Sequence, residues 1–169
     1  MIKLSKIIII CILLSLIIGC SSAPKNEVIY DSKDYVGNKI LTCKNYEQNE
    51  KLNYEINTTF EIKSKNNVAI ENKVHYEIKS DSDEVLEILS DKLEEKYKES
   101  IEEYGGTTMN KTKDKNKLIV DITLDYKKMD IEKYVEIEPL LKQTTKNNEI
   151  KTTVMRLIYE KKDYDCELN

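Results

Sequence analysis

Between residues 54 and 63 the chain alternates without a break. Tyr54, Ile56, Thr58, Phe60 and Ile62 interleave with Glu55, Asn57, Thr59, Glu61 and Lys63. A period of two marks a β-strand with one dry face and one wet face. After Ser64 to Asn67, whose residues tolerate turn geometry, Val68, Ile70, Val74, Tyr76 and Ile78 resume the alternation, so the two segments predict a hairpin. Lys39 to Tyr46 predicts an earlier strand carrying Cys43, and Glu47 to Lys51 a polar turn.

From Asp81 the period changes. Leu86, Leu89, Leu93, Tyr97, Ile101 and Tyr104 recur every three or four residues, and Val85 and Ile88 widen the stripe. Asp81 with Glu84 reads as a capping box and Gly105-Gly106 as the stop, which gives a helix of about 22 residues, ~33 Å long. Thr107 to Lys113 and Lys117 to Tyr126 predict a second hairpin around Asp114-Lys115-Asn116, with Leu118, Val120, Ile122, Leu124 and Tyr126 as its buried row. Asp130 caps a short turn and Pro139 breaks any longer element. Thr152 to Lys162, apolar at 154, 155, 157, 158 and 159, fits a strand by local propensity and a helix by the overall architecture; helix is the expectation. The resulting fold class is α+β: an antiparallel sheet of about four to five strands packed against one long helix, with a short C-terminal helix.

The N-terminal segment follows a different logic. Lys3 and Lys6 precede an apolar run, Ile7 to Ile18, broken only by Ser15 and followed by Gly19, Cys20, Ser21 and Ser22. This is the order of a secretory signal peptide. Twelve helical residues span ~18 Å against ~30 Å of bilayer hydrocarbon, so a permanent membrane span is the weaker reading. Ile17-Ile18-Gly19-Cys20 resembles a bacterial lipobox. The resemblance implies a diacylglyceryl group on the Cys20 sulfur and cleavage between Gly19 and Cys20. The alternatives are an ordinary signal peptide with a chance cysteine, or an uncleaved anchor. On the lipobox reading, residues 1–19 are removed, 20–36 are the lipidated cysteine and a polar tether, and 37–169 form a single extracytoplasmic domain. Two acyl chains suffice for stable anchoring where one is marginal. The expected location is the outer face of the cytoplasmic membrane, with a Gram-positive cell surface preferred.

Composition narrows the picture further. Of 169 residues, 40% are hydrophobic and recur with clear periods, which excludes a disordered chain. A pI near 5.3 argues against a nucleic-acid partner. Cys11 leaves with the signal peptide and Cys20 carries lipid, so Cys43 and Cys166 remain, an even number in an oxidising compartment. A bridge between them would close nearly the whole domain, worth about 4–5 kcal/mol in the loop-entropy model. Two free buried thiols are the alternative.

Leu41-Thr42-Cys43, Asp125-Tyr126-Lys127-Lys128-Met129-Asp130 and Tyr164-Asp165-Cys166 sit within a distinctive order. That order is lipobox, tether, cysteine-bearing strand, hairpin, long helix, Gly-Gly, hairpin and terminal cysteine. Over residues 37–168 it is similar to the YehR-like family of small bacterial lipoproteins. The resemblance implies an antiparallel sheet packed by helices and a surface-anchored location; it implies no enzymatic activity.

Candidate chemistry is sparse. The one histidine, His75, shares its strand face with Glu71, Lys73 and Glu77 and reads as a surface residue rather than a general base. Glu94-Glu95 and Glu102-Glu103 read as the helix's wet face, and no run of His, Cys or carboxylates has metal-ligand spacing. Lys111, Lys113, Lys115 and Lys117 alternate through the second hairpin tip. They read as a contact for anionic headgroups or, more strongly, as a soluble tip that discourages edge pairing. No catalytic, cofactor or metal residue is assigned. The expectation is a non-enzymatic, lipid-anchored module that binds a small ligand or an envelope protein through its sheet face or the groove beside the long helix. The alternative is a structural or assembly accessory of an envelope complex, with no small-molecule ligand.

Overall fold

A computed structural model describes residues 30–137, 141–142, 145 and 147–169. Gly19 and Cys20, and the signal-peptide and lipobox readings that rest on them, lie outside the described residues, as does Pro139. Six strands form one antiparallel sheet: β1 (Asn38–Asn49), β2 (Tyr54–Lys65), β3 (Val68–Ser80), β4 (Thr107–Asp114), β5 (Lys117–Asp125) and β6 (Asp165–Leu168). Their spatial order is β4-β5-β3-β2-β1-β6. The α+β class and antiparallel sheet hold, but the strand count rises from four or five to six. The added strand is β6, whose four residues are too few to display an alternation.

The β2–β3 hairpin turns on Asn66 and Asn67, at φ 52° and 65°. Two left-handed residues in a two-residue turn match the twist of the flanking strands. The register then lines up one dry row across the sheet. Cys43 faces Phe60, Phe60 faces Val74, Val74 faces Ile122 and Ile122 faces Met109. The next row, Lys44, Thr59, His75, Asp121 and Asn110, points the other way and meets water. The two longer described helices cover the dry face, which gives two layers and leaves a polar sheet face open among the described residues.

Helix α1 (Asp83–Glu102) lies on β3, β4 and β5 and buries Leu86, Leu89, Tyr97 and Ser100. Its N-cap is Ser82, whose Oγ accepts from the Val85 amide at 3.3 Å, and not Asp81. The inward line runs from Tyr97 through Ser100 to Tyr104, which leaves Ile101 39% exposed rather than in the stripe. Gly106 ends the connection at φ 68°, and a Cβ there would lie 2.5 Å from the Asp125 carbonyl oxygen. A short helix α2 (Ile131–Tyr134) is capped by Asp130, which accepts from the Lys133 amide. Helix α3 (Thr152–Lys161) confirms the C-terminal helix and buries Thr152, Met155 and Ile158, every third residue on one face. No described helix is long and apolar enough to cross a membrane.

The last residues of the segment read as tether pack onto the domain. A 3-10 turn at Ser32–Tyr35 brings Tyr35 to 1% exposure, and the Tyr35 carbonyl accepts from the Asn67 amide at 2.9 Å. Tyr35 is large and apolar, and a pocket beside α3 outweighs the polar character of its neighbours.

Candidate functional site

The two ends of the domain meet beside α3. Ile40 and Asn169 exchange backbone hydrogen bonds at 2.9 and 2.8 Å, so alternation makes Cys43 and Cys166 a narrow, non-hydrogen-bonded pair. Their Cα atoms are 4.1 Å apart and their sulfurs are bridged. The bridged form, not the pair of free thiols, is what the fold contains.

Arg156, the chain's lone arginine among many lysines, ties the same corner together. Its Nε donates to Glu160 at 2.8 Å, Nη2 to the Cys166 carbonyl at 3.1 Å and Nη1 to the Tyr35 hydroxyl at 3.5 Å. The guanidinium lies 4.3 Å from the centroid of the Tyr30 ring, and the Tyr30 hydroxyl bonds Glu160. Burial and the bond to Glu160 push Tyr30 up to about 12, so that hydroxyl remains a donor at neutral pH. Burial alone would lower Arg156, but its bonds to Glu160 and Tyr35 outweigh that and hold it above its ordinary value. Only a planar fork can stack on one ring and donate in three directions at once. Tyr30, the first described residue, therefore lies against α3.

Under the helices the dry face carries a polar cluster. Asn72, 1% exposed, donates from Nδ2 to the hydroxyls of Tyr159 at 3.2 Å and Tyr126 at 3.5 Å. Its Oδ1 has no partner among the described residues. Phe60 packs 4.3 Å from Tyr159 and 5.3 Å from Tyr164, centroid to centroid. The hydroxyls of Tyr76 and Tyr97 lie 3.1 Å apart. Burial pushes Tyr97, Tyr126 and Tyr159 well above the ordinary phenol value. Phenols held protonated in this way act as hydrogen-bond donors rather than bases, and the cluster's role is to orient the core.

Two of the cavities that open on the described surface bear on function. One, of about 400 Å³, is walled by the start of β3 (Val68, Ala69, Ile70), by Tyr126 to Ile131, and by Asn148 to Ile150. The other, about 220 Å³, is polar and lies between Glu50, Asn53, Asp81 and Asn116. Neither is the sheet face or the groove beside α1 where ligand contact was expected. Nothing in the sequence joined the residues of the larger one: β3's first three positions, the segment after β5 and the approach to α3 converge only through tertiary pairing.

His75 stands on the open face, Nδ1 2.7 Å from Asp121 Oδ1, and both side chains are about half exposed. The four hairpin lysines do not form one array. Lys111 bonds Glu94 and Lys113 reaches Asp83 at 2.7 Å, both on α1, while Lys117 turns to the opposite face and meets Glu77 at 2.7 Å. Among the described residues no three His, Cys, Asp or Glu side chains are placed to hold a metal ion. Arg156, Tyr30 and Tyr35 escaped the sequence reading; a single arginine in so lysine-rich a chain was the available signal.

A sheet with its two longer described helices on one face and its edge strand closed by a disulfide defines a two-layer α+β domain. The chain is similar to the YehR protein of E. coli, whose solution structure shares 14% identity over 78% of this chain and 90% of that one, at a TM-score of 0.46. YehR is the namesake of the family that the cysteine-flanked motifs resemble. A Streptococcus pneumoniae TIGR4 protein, also solved by NMR, shares 14% identity over 88% of this chain and 93% of that one, at a TM-score of 0.44. No protein-family model matches the chain, and neither does any curated protein.

Proposed function

We propose that the protein is a lipid-anchored, non-enzymatic binding module held on the outer face of the cytoplasmic membrane through a diacylglyceryl group on Cys20. The observation that carries this reading is the Cys43–Cys166 bridge. Structural disulfides persist in oxidising compartments, the setting that the Lys3-to-Cys20 segment independently implies. Ten residue steps separate Cys20 from Tyr30, which limits the gap to about 36 Å. The domain would therefore work close to the bilayer. His75, paired with Asp121, stands on an open face away from both cavities, and the buried phenols are held protonated, which favours binding over turnover. The larger cavity favours a ligand over a purely structural accessory role.

The test is the intact mass and N-terminal residue of the protein extracted from its own membrane. Diacylated Cys20 at the N-terminus is expected, and Cys20→Ser should leave an unprocessed, unlipidated precursor. A mature chain that starts elsewhere, or a Cys20→Ser variant with unchanged mass, would overturn the reading.

A further inference from the structure

We propose that β4 is the edge through which two copies of the protein join: β4 pairs antiparallel with β4 of a second copy about Asn110, and the sheet continues across a two-fold axis. The inference goes beyond the anchored binding module and does not depend on the anchor. Its first support is the contrast between the two edges of the sheet. On one side β6 covers β1 and is fixed there by the Cys43–Cys166 bridge. On the other, β4 ends the sheet among the described residues with eight residues, of which Thr108 and Asn110 to Asp114 are exposed. An uncovered edge strand is a template for another chain.

The second support is the phase of the hydrogen bonds. The Asp125 amide donates to the Gly106 carbonyl at 2.7 Å, so alternation turns the backbone groups of Thr108, Asn110, Thr112 and Asp114 toward β5 as well. The amides and carbonyls of Thr107, Met109, Lys111 and Lys113 therefore point outward. With Asn110 on the axis, Thr107 meets Lys113 of the second copy and Met109 meets its Lys111, so these outward groups find partners that are equally free. A slip of one residue would set them against groups already bonded to β5. A slip of two would face Lys111 with itself, or set Lys113 against Gly105, outside the strand.

The third support is charge. Lysines along an edge ordinarily keep partners away, because pairing would bury their ammonium groups. Here Lys111 is bonded to Glu94 and to the Ser90 hydroxyl at 3.0 Å, and Lys113 to Asp83 at 2.7 Å, so both are drawn toward α1. In the joined sheet they oppose Met109 and Thr107, never each other. On the open face Thr108 opposes Thr112, a favourable cross-strand pair.

Oxidative crosslinking of the full protein, extracted in mild detergent, tests the register. Asn110 would face its own copy in a narrow, non-hydrogen-bonded pair, the arrangement in which Cys43 and Cys166 bridge at a Cα separation of 4.1 Å. Asn110→Cys should therefore give a disulfide-linked dimer above the background set by the unsubstituted protein. Thr112→Cys, also exposed but opposite Thr108, should give about tenfold less. Sedimentation at micromolar concentration supplies an independent reading. Lys111→Pro removes one outward amide per copy and no bond to β5, a change that an edge strand tolerates. It should weaken the dimer about tenfold or more relative to Lys111→Ala, which keeps the amide, with the far-ultraviolet dichroism of both unchanged. Equal crosslinking at the two cysteine positions, or a dimer as tight with proline as with alanine, would overturn the proposal. So would a monomer throughout the micromolar range, the result expected if β4 instead receives a strand from a different protein.

Discussion

Helices α1 and α3 cover the same face of one sheet, yet they are held there by different means. Helix α1 has twenty residues and lies across β3, β4 and β5 through Leu86, Leu89 and Tyr97, a largely apolar contact made by the helix itself. Helix α3 has ten residues and lies over β1, next to a strand of only four. It buries Met155 and Ile158, and specific links add to that burial. They are the Cys43–Cys166 bridge, the Arg156 contacts with Glu160, Tyr35, Tyr30 and Cys166, and the stacking of Phe60 with Tyr159 and Tyr164. A short helix at a sheet edge cannot rely on burial that scales with area, so covalent and geometrically exacting contacts carry it.

The largest effect should come from removing the bridge. It spans 123 residues of sequence, and the loop-entropy model assigns about 5 kcal/mol to a closure of that length. The Cys43→Ser/Cys166→Ser variant should lose that much in urea unfolding. Hydrogen exchange should show protection falling first in β6, α3 and residues 30–36, with β3 and β5 following. A uniform loss across the sheet would mean that the two halves are one unit and the contrast is illusory.

Next in size is Leu86→Ala, at 1% exposure in the contact of α1 with the sheet. About 3 kcal/mol should be lost through transfer and cavity terms. Here exchange should quicken in α1 and β4 before β6. If β6 loosens first, the bridge is not what holds the far corner.

Alkaline pH probes the buried phenols, which both halves contain: Tyr97 on α1 is raised as well. Burial holds Tyr126 and Tyr159 well above the ordinary phenol value, and raises Tyr164 to about 12; all three pack beneath or beside α3. A raised phenol in the folded state keeps its proton while the unfolded chain has lost it. Its stabilisation is therefore complete below pH ~10 and drains away as pH climbs through the folded value. For Tyr164 alone the rise to about 12 is worth roughly 2–3 kcal/mol. Tyrosinate absorbance should rise in step with the loss of near-ultraviolet dichroism above pH 10. Full ionisation near pH 10 with the fold intact would show that these hydroxyls already reach water.

The same contrast explains what could be read from residues alone. The alternation at 54–62 and the three-to-four spacing at 86–104 come from repeated burial, and repetition is visible without coordinates. Both hairpins and α1 were legible for that reason. β6 and the docking of Tyr35 are single events: four residues completing a sheet edge, and one ring finding a pocket. The cysteine pair was legible through counting, since two were spoken for and two remained. The cavity was not, because Val68, Met129 and Ile150 lie far apart in sequence and meet only after β3, β5 and the approach to α3 have paired. The hairpin lysines allowed two readings, of which the soluble tip was preferred; the array that their even spacing allowed does not form, because the turn at Lys115 sends Lys113 and Lys117 to opposite faces.

A smaller perturbation isolates the arginine. Arg156→Lys keeps the charge but loses the fork, and with it the bond to the Cys166 carbonyl and the flat stack on Tyr30. A loss of about 1–2 kcal/mol is expected, felt most in residues 30–36, where limited proteolysis after Lys33 should accelerate. Unchanged cleavage would mean that Tyr35, through the Asn67 bond and its own burial, holds the segment without help.

The finest test concerns one hydroxyl at the start of α1. Asp81 and Ser82 are both good caps by type, and sequence spacing favours Asp81 with Glu84. In the fold Ser82 takes the Val85 amide at 3.3 Å, while the Asp81 carboxylate accepts only from the exposed Asn53 amide at 3.2 Å. Ser82→Ala should therefore cost about 1 kcal/mol, and Asp81→Ala a few tenths, read as midpoint shifts in urea at constant slope. Reversal of that order would hand the cap to Asp81 and start the helix one residue earlier. Because α1 is held by burial along its length, either change should leave β6 and α3 as protected as before. A cap mutation that loosened the disulfide-closed corner would show that the two halves share more than a sheet.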